Sequence, residues 1–184
     1  MDATPEKVRV TFAEYDALPE TNQIVELIDG EIVMNPPVFR HQKVLLRIVA
    51  TLLPLNLSGE LCIAPCGLRF DDGNSFEPDL FWVSLDNTAC VLEPNGNYWH
   101  GAPDLVIEVL SPSTEANDRG KKFRTYQQYG VREYWLVNPD VQFVEVYAQL
   151  NARFEQQGVI LPGQAFTSEV LSGVSIDVTP WFAA

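Results

Sequence analysis

Basic residues are scarce in this sequence. Twelve lysines and arginines stand against twenty-five aspartates and glutamates, a formal net charge of −13. A surface of that sign repels phosphate polyanions on average, which excludes nonspecific coating of nucleic acid by bulk charge. Long apolar runs are missing too: no stretch approaches the ~20 residues that span a bilayer. The opening MDATPEKVRV lacks the basic-then-apolar layout of a secretory leader, so the expectation is a soluble, cytoplasmic protein. Only three cysteines occur, at 62, 66 and 90, and Cys62-x-x-x-Cys66 has no second pair to complete a zinc site. They are expected to be buried free thiols in a reducing compartment. No glycine-rich phosphate loop of either common type is present. Internal repeats and low-complexity tracts are absent as well.

What is present suits one domain: 184 residues, 46% of them hydrophobic, can bury a core without staples. Residues 11–19 (TFAEYDALP) predict a short helix, with Thr11 as N-cap and Glu14 completing a capping box. In QIVELIDGEIVM, Asp29-Gly30 between two β-prone runs predicts a two-residue hairpin turn. Val44, Leu45, Ile48, Leu52 and Leu55 recur at helical spacing within 38–57, a helix broken near Pro54. Residues 60–70 (ELCIAPCGLRF) read as one strand with an irregularity at Pro65, followed by a turn at 71–74. A short strand over 79–83 precedes a loop over 86–102. The run 104–110 is almost continuously apolar, and is expected at the centre of a sheet covered on both faces.

Pro112 ends that strand. A helix from about Asp118 to Tyr129 follows, with Gly130 as its stop. GVREYWLVNP predicts a strand, 138–140 a turn, 141–147 its partner, and 150–184 short strands and turns. This order predicts an α/β (α+β) protein, a central mixed β-sheet flanked by α-helices, in a single domain. Within it lie an N-terminal helix and hairpin (about 10–35), a core (about 60–148) and C-terminal strands (150–184).

Residues 103–114, PDLVIEVLSPST, pose the chemical question. Glu108 interrupts an apolar run, and a glutamate is almost never fully buried unless its charge is compensated. Asp104 shares its strand face, but four residues at ~3.3 Å each put the α-carbons ~13 Å apart, too far to chelate one ion easily. A partner is expected from a neighbouring strand, where facing residues approach to ~5 Å, and Asp79 heads the strand just before. The third Pro-Asp, at 139–140, is explained by its turn. Two carboxylates alone repel; a divalent cation resolves this, and oxygen ligands suit Mg²⁺ or Mn²⁺. Metal-assisted hydrolysis also needs a group that orients water and offsets negative charge, a natural task for lysine. Lys121 and Lys122 are the candidates. With Phe123 and Tyr126 as the core side, Lys122 lies beside that stripe and Lys121 stands farther round. A structural strand–helix salt bridge fits these residues as well as a catalytic trio does. Eight of the twelve basic residues fall on two segments, Arg40, Lys43 and Arg47, then Arg119, Lys121, Lys122, Arg124 and Arg132. That permits a local positive patch, although ordinary solvated helix faces read the same way.

ELIDGE (26–31), His41-Gln42, FEPDLFWV (76–83), PDLVIEVLSPST, DRGKK (118–122) and GVREYWLVNP occur in an order that resembles the Uma-type restriction endonucleases of the PD-(D/E)XK nuclease superfamily. The resemblance covers about residues 10–148. It implies a restriction-endonuclease-like fold, Mg²⁺-dependent cleavage of DNA phosphodiesters and a homodimer. It also implies Asp79 and Glu108 as metal-holding catalytic acids. The superfamily usually carries lysine two residues after that glutamate, where this chain has Leu110. In the Uma-type form the lysine moves to the following helix, where Lys122 matches, with Lys121 as the alternative. Glu26 is a further ligand or an acid behind one. Arg40, Lys43, Arg119, Lys121 and Arg124 would be DNA contacts. His41, with no partner visible, reads as a surface or capping residue, or else as a group facing the substrate. Ser111 and Ser113 would cap the turn locally or contact a phosphate. Two rival readings remain open at this point: a catalytically inactive nuclease fold used for interaction, motivated by the charge and Leu110, and a hydrolase or lyase acting on a small anionic substrate.

Overall fold

The structure, a computed structural model, describes residues 9–19, 24–35 and 38–183, with Asn35 described by its backbone alone. Its short first helix, α1 (Phe12–Asp16), starts with the expected capping box, Thr11 and Glu14 each bonding the other's backbone N–H. β1 (Ile24–Ile28) and β2 (Glu31–Asn35) form the hairpin. Its turn residues Asp29 and Gly30 both have positive φ, as a tight primed turn between twisted strands demands. α2 (Phe39–Leu52) buries Val44, Leu45, Ile48 and Leu52, and gives way to a 3₁₀ turn at Leu53–Leu55 where Pro54 cannot continue the ladder.

Two expectations need correction here. The single strand expected over 60–70 is two, β3 (Gly59–Ile63) and β4 (Gly67–Asp71). They belong to different sheets, so the irregularity around Pro65 is where the chain crosses between them. After β5 (Asn74–Phe76) and β6 (Leu80–Ser84), the loop expected over 86–102 contains a hairpin, β7 (Cys90–Leu92) and β8 (Tyr98–Gly101). Its strands are short and half-exposed, so periodicity carries no signal there.

β9 (Leu105–Val109) leads through Ser111–Thr114 into a helical stretch that begins earlier than expected. α3 (Glu115–Asn117) is joined by a π turn, Asp118–Lys122, to α4 (Phe123–Tyr129). Gly130, at φ 96°, ends α4 in the left-handed conformation that favours glycine. β10 (Glu133–Asn138) then runs parallel to β9, and β11 (Phe143–Leu150) and β12 (Arg153–Ile160) complete a meander. The hairpin β13 (Ala165–Ser168) and β14 (Val174–Asp177) and helix α5 (Thr179–Phe182) close the described chain.

The mixed α+β class stands, with the strands other than β13 and β14 divided between two large sheets. One has the order β2-β1-β5-β4-β8-β7, the other β12-β11-β10-β9-β6-β3. β9 is interior to the second sheet and buried along its whole length. Leu105, Ile107 and Val109 pack with α2 residues and Trp135, while Val106 and Leu110 pack between the sheets with Phe70, Phe76 and Tyr126. Glu108 shares the parity of 106 and 110, and so emerges between the two sheets. Among the described residues no helix is long and apolar enough to cross a membrane.

Candidate functional site

β6 and β9 are antiparallel with Leu80 opposite Ile107, and the next step of that register sets Asp79 opposite Glu108. Each acid is gripped by the other's strand. The Asp79 N–H donates to Glu108 Oε2 (3.3 Å), and the Val109 N–H donates to Asp79 Oδ2 (2.7 Å). Glu26, on β1, arrives from the opposite sheet on the same side as Ile28, and its Oε1 accepts from the Glu77 N–H (2.9 Å).

Between these acids lies the Lys122 ammonium, 3% exposed, at 2.7 Å from Glu26 Oε1, 3.1 Å from Glu108 Oε1 and 3.5 Å from Asp118 Oδ1. The π turn carries both Asp118 and Lys122 on its buried side. Two tyrosines fix this arrangement. Tyr126, one turn after Lys122, donates to the same Glu108 Oε1 (2.8 Å), and Tyr134 on β10 donates to the Asp118 carbonyl (3.0 Å). Glu108 Oε1 is thereby occupied, while Oε2, with its one long backbone bond, faces Asp79.

His41 needs correction: it is buried, not a surface or capping residue. It lies on the inner side of α2, and its Nε2–H donates to Asp79 Oδ2 at 3.0 Å. Lys121 points elsewhere, 3.6 Å from Asp29 and 3.9 Å from Glu31. Of the other four expected DNA contacts, two are engaged with acids. Arg40 pairs with Asp140, and Arg119 with Glu115 and Glu145. Lys43 and Arg124 form no ion pair among the described residues. Ser111 lines the cleft, and its hydroxyl lies within 3.0 Å of Ser113 and 3.1 Å of Thr114, so it also closes the turn after the strand. Asp104 lies at the other end of β9, where it accepts from Ser84 N–H, Asn87 and Arg132, a structural role.

Sequence reasoning missed Asp118, Glu77 and the hydroxyl of Tyr126. The first and last stand four residues before and after Lys122, a spacing that puts them on its helix face. The cysteines are free as expected, but only Cys90 is buried; Cys62 and Cys66 are half-buried.

The cleft is small, with a cavity volume of about 30 Å³, enough for a water or two or an ion. Five carboxylates line it, from Glu26, Glu77, Asp79, Glu108 and Asp118, with Lys122 and His41 as the basic groups. Burial, together with the neighbouring acids, pushes Glu108 well above the usual carboxylate range despite Lys122. Burial likewise raises Asp118 to about 6 and, with Glu26, Glu77 to about 7. Burial alone would lower Lys122, but Glu108, Glu26 and Asp118 outweigh it and hold the ammonium well above an ordinary lysine. His41 is balanced the same way, burial lowering it and Asp79 raising it to a net upward shift.

Excess negative charge, all-oxygen acids and two buried oxygens without hydrogen-bond partners, Asp118 Oδ1 and Glu77 Oε2, fit a hard divalent cation. Among the described residues no group of three or more His, Cys, Asp or Glu side chains is arranged to hold an ion by itself.

Comparison with known proteins agrees with the fold. The family model described as "Uma2: Putative restriction endonuclease" matches residues 12–179. A crystal structure from Anabaena variabilis, titled as a putative nuclease belonging to DUF820, superposes with a TM-score of 0.74 at 26% identity, covering 94% of this chain and 97% of that one. An uncharacterized protein of Synechocystis sp., slr1290, is 50% identical over 46 residues, 24% of this chain and only 24% of that protein's length.

Proposed function

Because the chain belongs to the Uma2 putative restriction endonuclease family, whose function is of nuclease type, we propose that the cleft hydrolyses phosphodiester bonds of DNA with the help of a divalent cation. The single observation that carries this reading is the buried Lys122 ammonium at Glu108, beside Asp79 from the paired strand. Asp79 and Glu108 would hold Mg²⁺ or Mn²⁺, with Glu26 behind them. When bound, such an ion neutralises charge on the phosphate and makes a coordinated water more acidic.

The remaining work belongs to the chain's own groups. Lys122, kept protonated by its acids, cannot take a proton; it holds the attacking water and offsets the negative charge that grows on phosphorus-bound oxygen. Water's oxygen bonds to phosphorus as one ester P–O bond breaks. The water proton passes to the carboxylate cluster and out through the cleft, and the leaving oxygen collects a proton to become a hydroxyl. Tyr126 keeps Glu108 in one orientation throughout. His41 does the same for Asp79.

Plasmid cleavage tests the proposal. Native protein should cut with Mg²⁺ or Mn²⁺ and not in chelator. Asp79→Asn, Glu108→Gln and Lys122→Met should each lose at least about a hundredfold, the usual scale for removing a group of this kind. Equal cleavage by native protein and Glu108→Gln would refute it.

A further inference from the structure

Two cysteines meet where the chain crosses from one sheet to the other. Cys62 is the last residue but one of β3, Cys66 stands immediately before β4, and a bend at Ala64-Pro65 lies between them. Cys62 is set opposite Phe81 of β6, and both thiols pack against the inter-sheet core to which Phe81 belongs. Their side chains touch: the Cys62 S–H donates to the Cys66 sulfur. That bond draws Cys66 below an ordinary thiol, against burial and the nearby Glu77, and raises Cys62, with burial acting in the same direction. Both are half-buried, so a small reagent can reach them. Cys90 is the contrast: it is 2% exposed, and burial pushes its thiol up to about 12, which leaves it inert. Among the described residues the pair belongs to no group of three or more His, Cys, Asp or Glu arranged to hold an ion, so thiol chemistry is the better account of it.

This joint is tied to the cleft. β3 pairs with β6 as far as Ile63 opposite Leu80, and the next rung is the Ala64 N–H donating to the Asp79 carbonyl (3.1 Å). We propose that Cys62 and Cys66 form a peroxide-responsive dithiol whose oxidation turns the cleft down. The Cys66 thiolate attacks hydrogen peroxide: an S–O bond forms, the O–O bond breaks, and the departing hydroxide takes the proton that Cys66 gave up, leaving as water. Cys66 is then a sulfenic acid. The Cys62 sulfur attacks it, an S–S bond forms as the S–O bond breaks, and the second hydroxide leaves as water with the Cys62 proton. Two thiols are oxidised and one peroxide is reduced to two waters. A disulfide of ~2.05 Å is much shorter than a non-bonded S···S contact, so closing it draws the ends of β3 and β4 together. Ala64 moves with them, and so does the strand head that carries Asp79. A shift of roughly 1 Å in a catalytic group costs about a hundredfold in rate. The loss of activity rests on the nuclease reading; the disulfide does not.

The test treats native protein with hydrogen peroxide, alkylates it in urea, and counts the remaining thiols by mass spectrometry. Plasmid cleavage and amide exchange across β6 are followed in parallel. Native protein should keep one of its three thiols, with Cys62 and Cys66 joined in one peptide. Its β6 exchange should change, and its cleavage should fall at least about tenfold and return with dithiothreitol. Cys66→Ser should keep both its thiols, its exchange and its cleavage. Cys62→Ser should stop at a Cys66 sulfenic acid that dimedone traps. Before peroxide both serine variants should cleave like native protein, since neither side chain lines the cleft. Three free thiols after peroxide, or a bridge that uses Cys90, would overturn the dithiol. A Cys62–Cys66 bridge that leaves β6 exchange unaltered would overturn the switch, and so would one that leaves cleavage undiminished. Native protein that forms the bridge, changes its β6 exchange and cleaves in neither state refutes the nuclease reading and upholds the dithiol.

Discussion

Lys122 lies within ion-pair distance of three buried carboxylates, Glu26, Glu108 and Asp118, so its charge is over-compensated. The excess falls on the acids. Asp118 moves from 3.8 to about 6 in the folded protein, so between those values the native state holds a proton that the unfolded chain has released. Stability contributed by that proton is complete below 3.8 and is lost as pH rises through about 6. Glu108 shifts in the same direction. In chelator, Asp118→Asn should therefore melt higher than native protein at neutral pH. The gap should close as pH falls toward about 4, because an amide has no proton to lose. Calorimetry across that range checks it, and identical pH slopes for the two proteins would defeat the account. At this scale the sequence was partly legible. Divergence of ~100° between successive helical residues favoured Lys122 over Lys121 but left Lys121 open. His41 was not legible, since the partner that makes a histidine informative lies 38 residues away on another element.

The element that matters most is the helical crossover between β9 and β10. Two adjacent parallel strands need a long connection that packs back across the sheet. That geometry lays the crossover over the face from which Glu108 emerges. On the proposed reading, a lysine on it would replace one on the strand, which would account for Leu110 in this chain. The π turn widens the helix there, and such turns often mark functional sites. It contains Gly120, where an added β-carbon would meet nothing within 4 Å and φ is not positive. Gly120→Ala should thus stabilise by about 0.5–1 kcal/mol through lost freedom in the unfolded chain. Gly130→Ala, forced into φ 96°, should destabilise by about 1 kcal/mol or more. Urea unfolding of both variants reads the two signs.

Across the whole molecule, the −13 charge and the carboxylate-lined cleft oppose the approach of phosphate. Most cations near the cleft are already matched with acids. Nucleic-acid binding should therefore depend on a divalent ion even before any bond is cut. Anisotropy with labelled DNA should show affinity in Ca²⁺ at least tenfold above that in chelator at equal ionic strength. Equal affinity in both would mean that binding is carried by surface charge alone.

The sequence by itself determined the local choices: the capping box at Thr11, the Asp29-Gly30 hairpin, the apolar face of α2, and the burial of β9, which its almost continuous run of apolar residues required. It also determined that one acid in that run needed compensation. Only the tertiary structure decided how that need was met. The crossing between sheets near Pro65, the hairpin within 86–102, and the meeting of Glu26, His41, Asp118 and Tyr126 around the cleft all depend on which strands pair. Pairing is set by burial across the whole chain, and local spacing carries little trace of it.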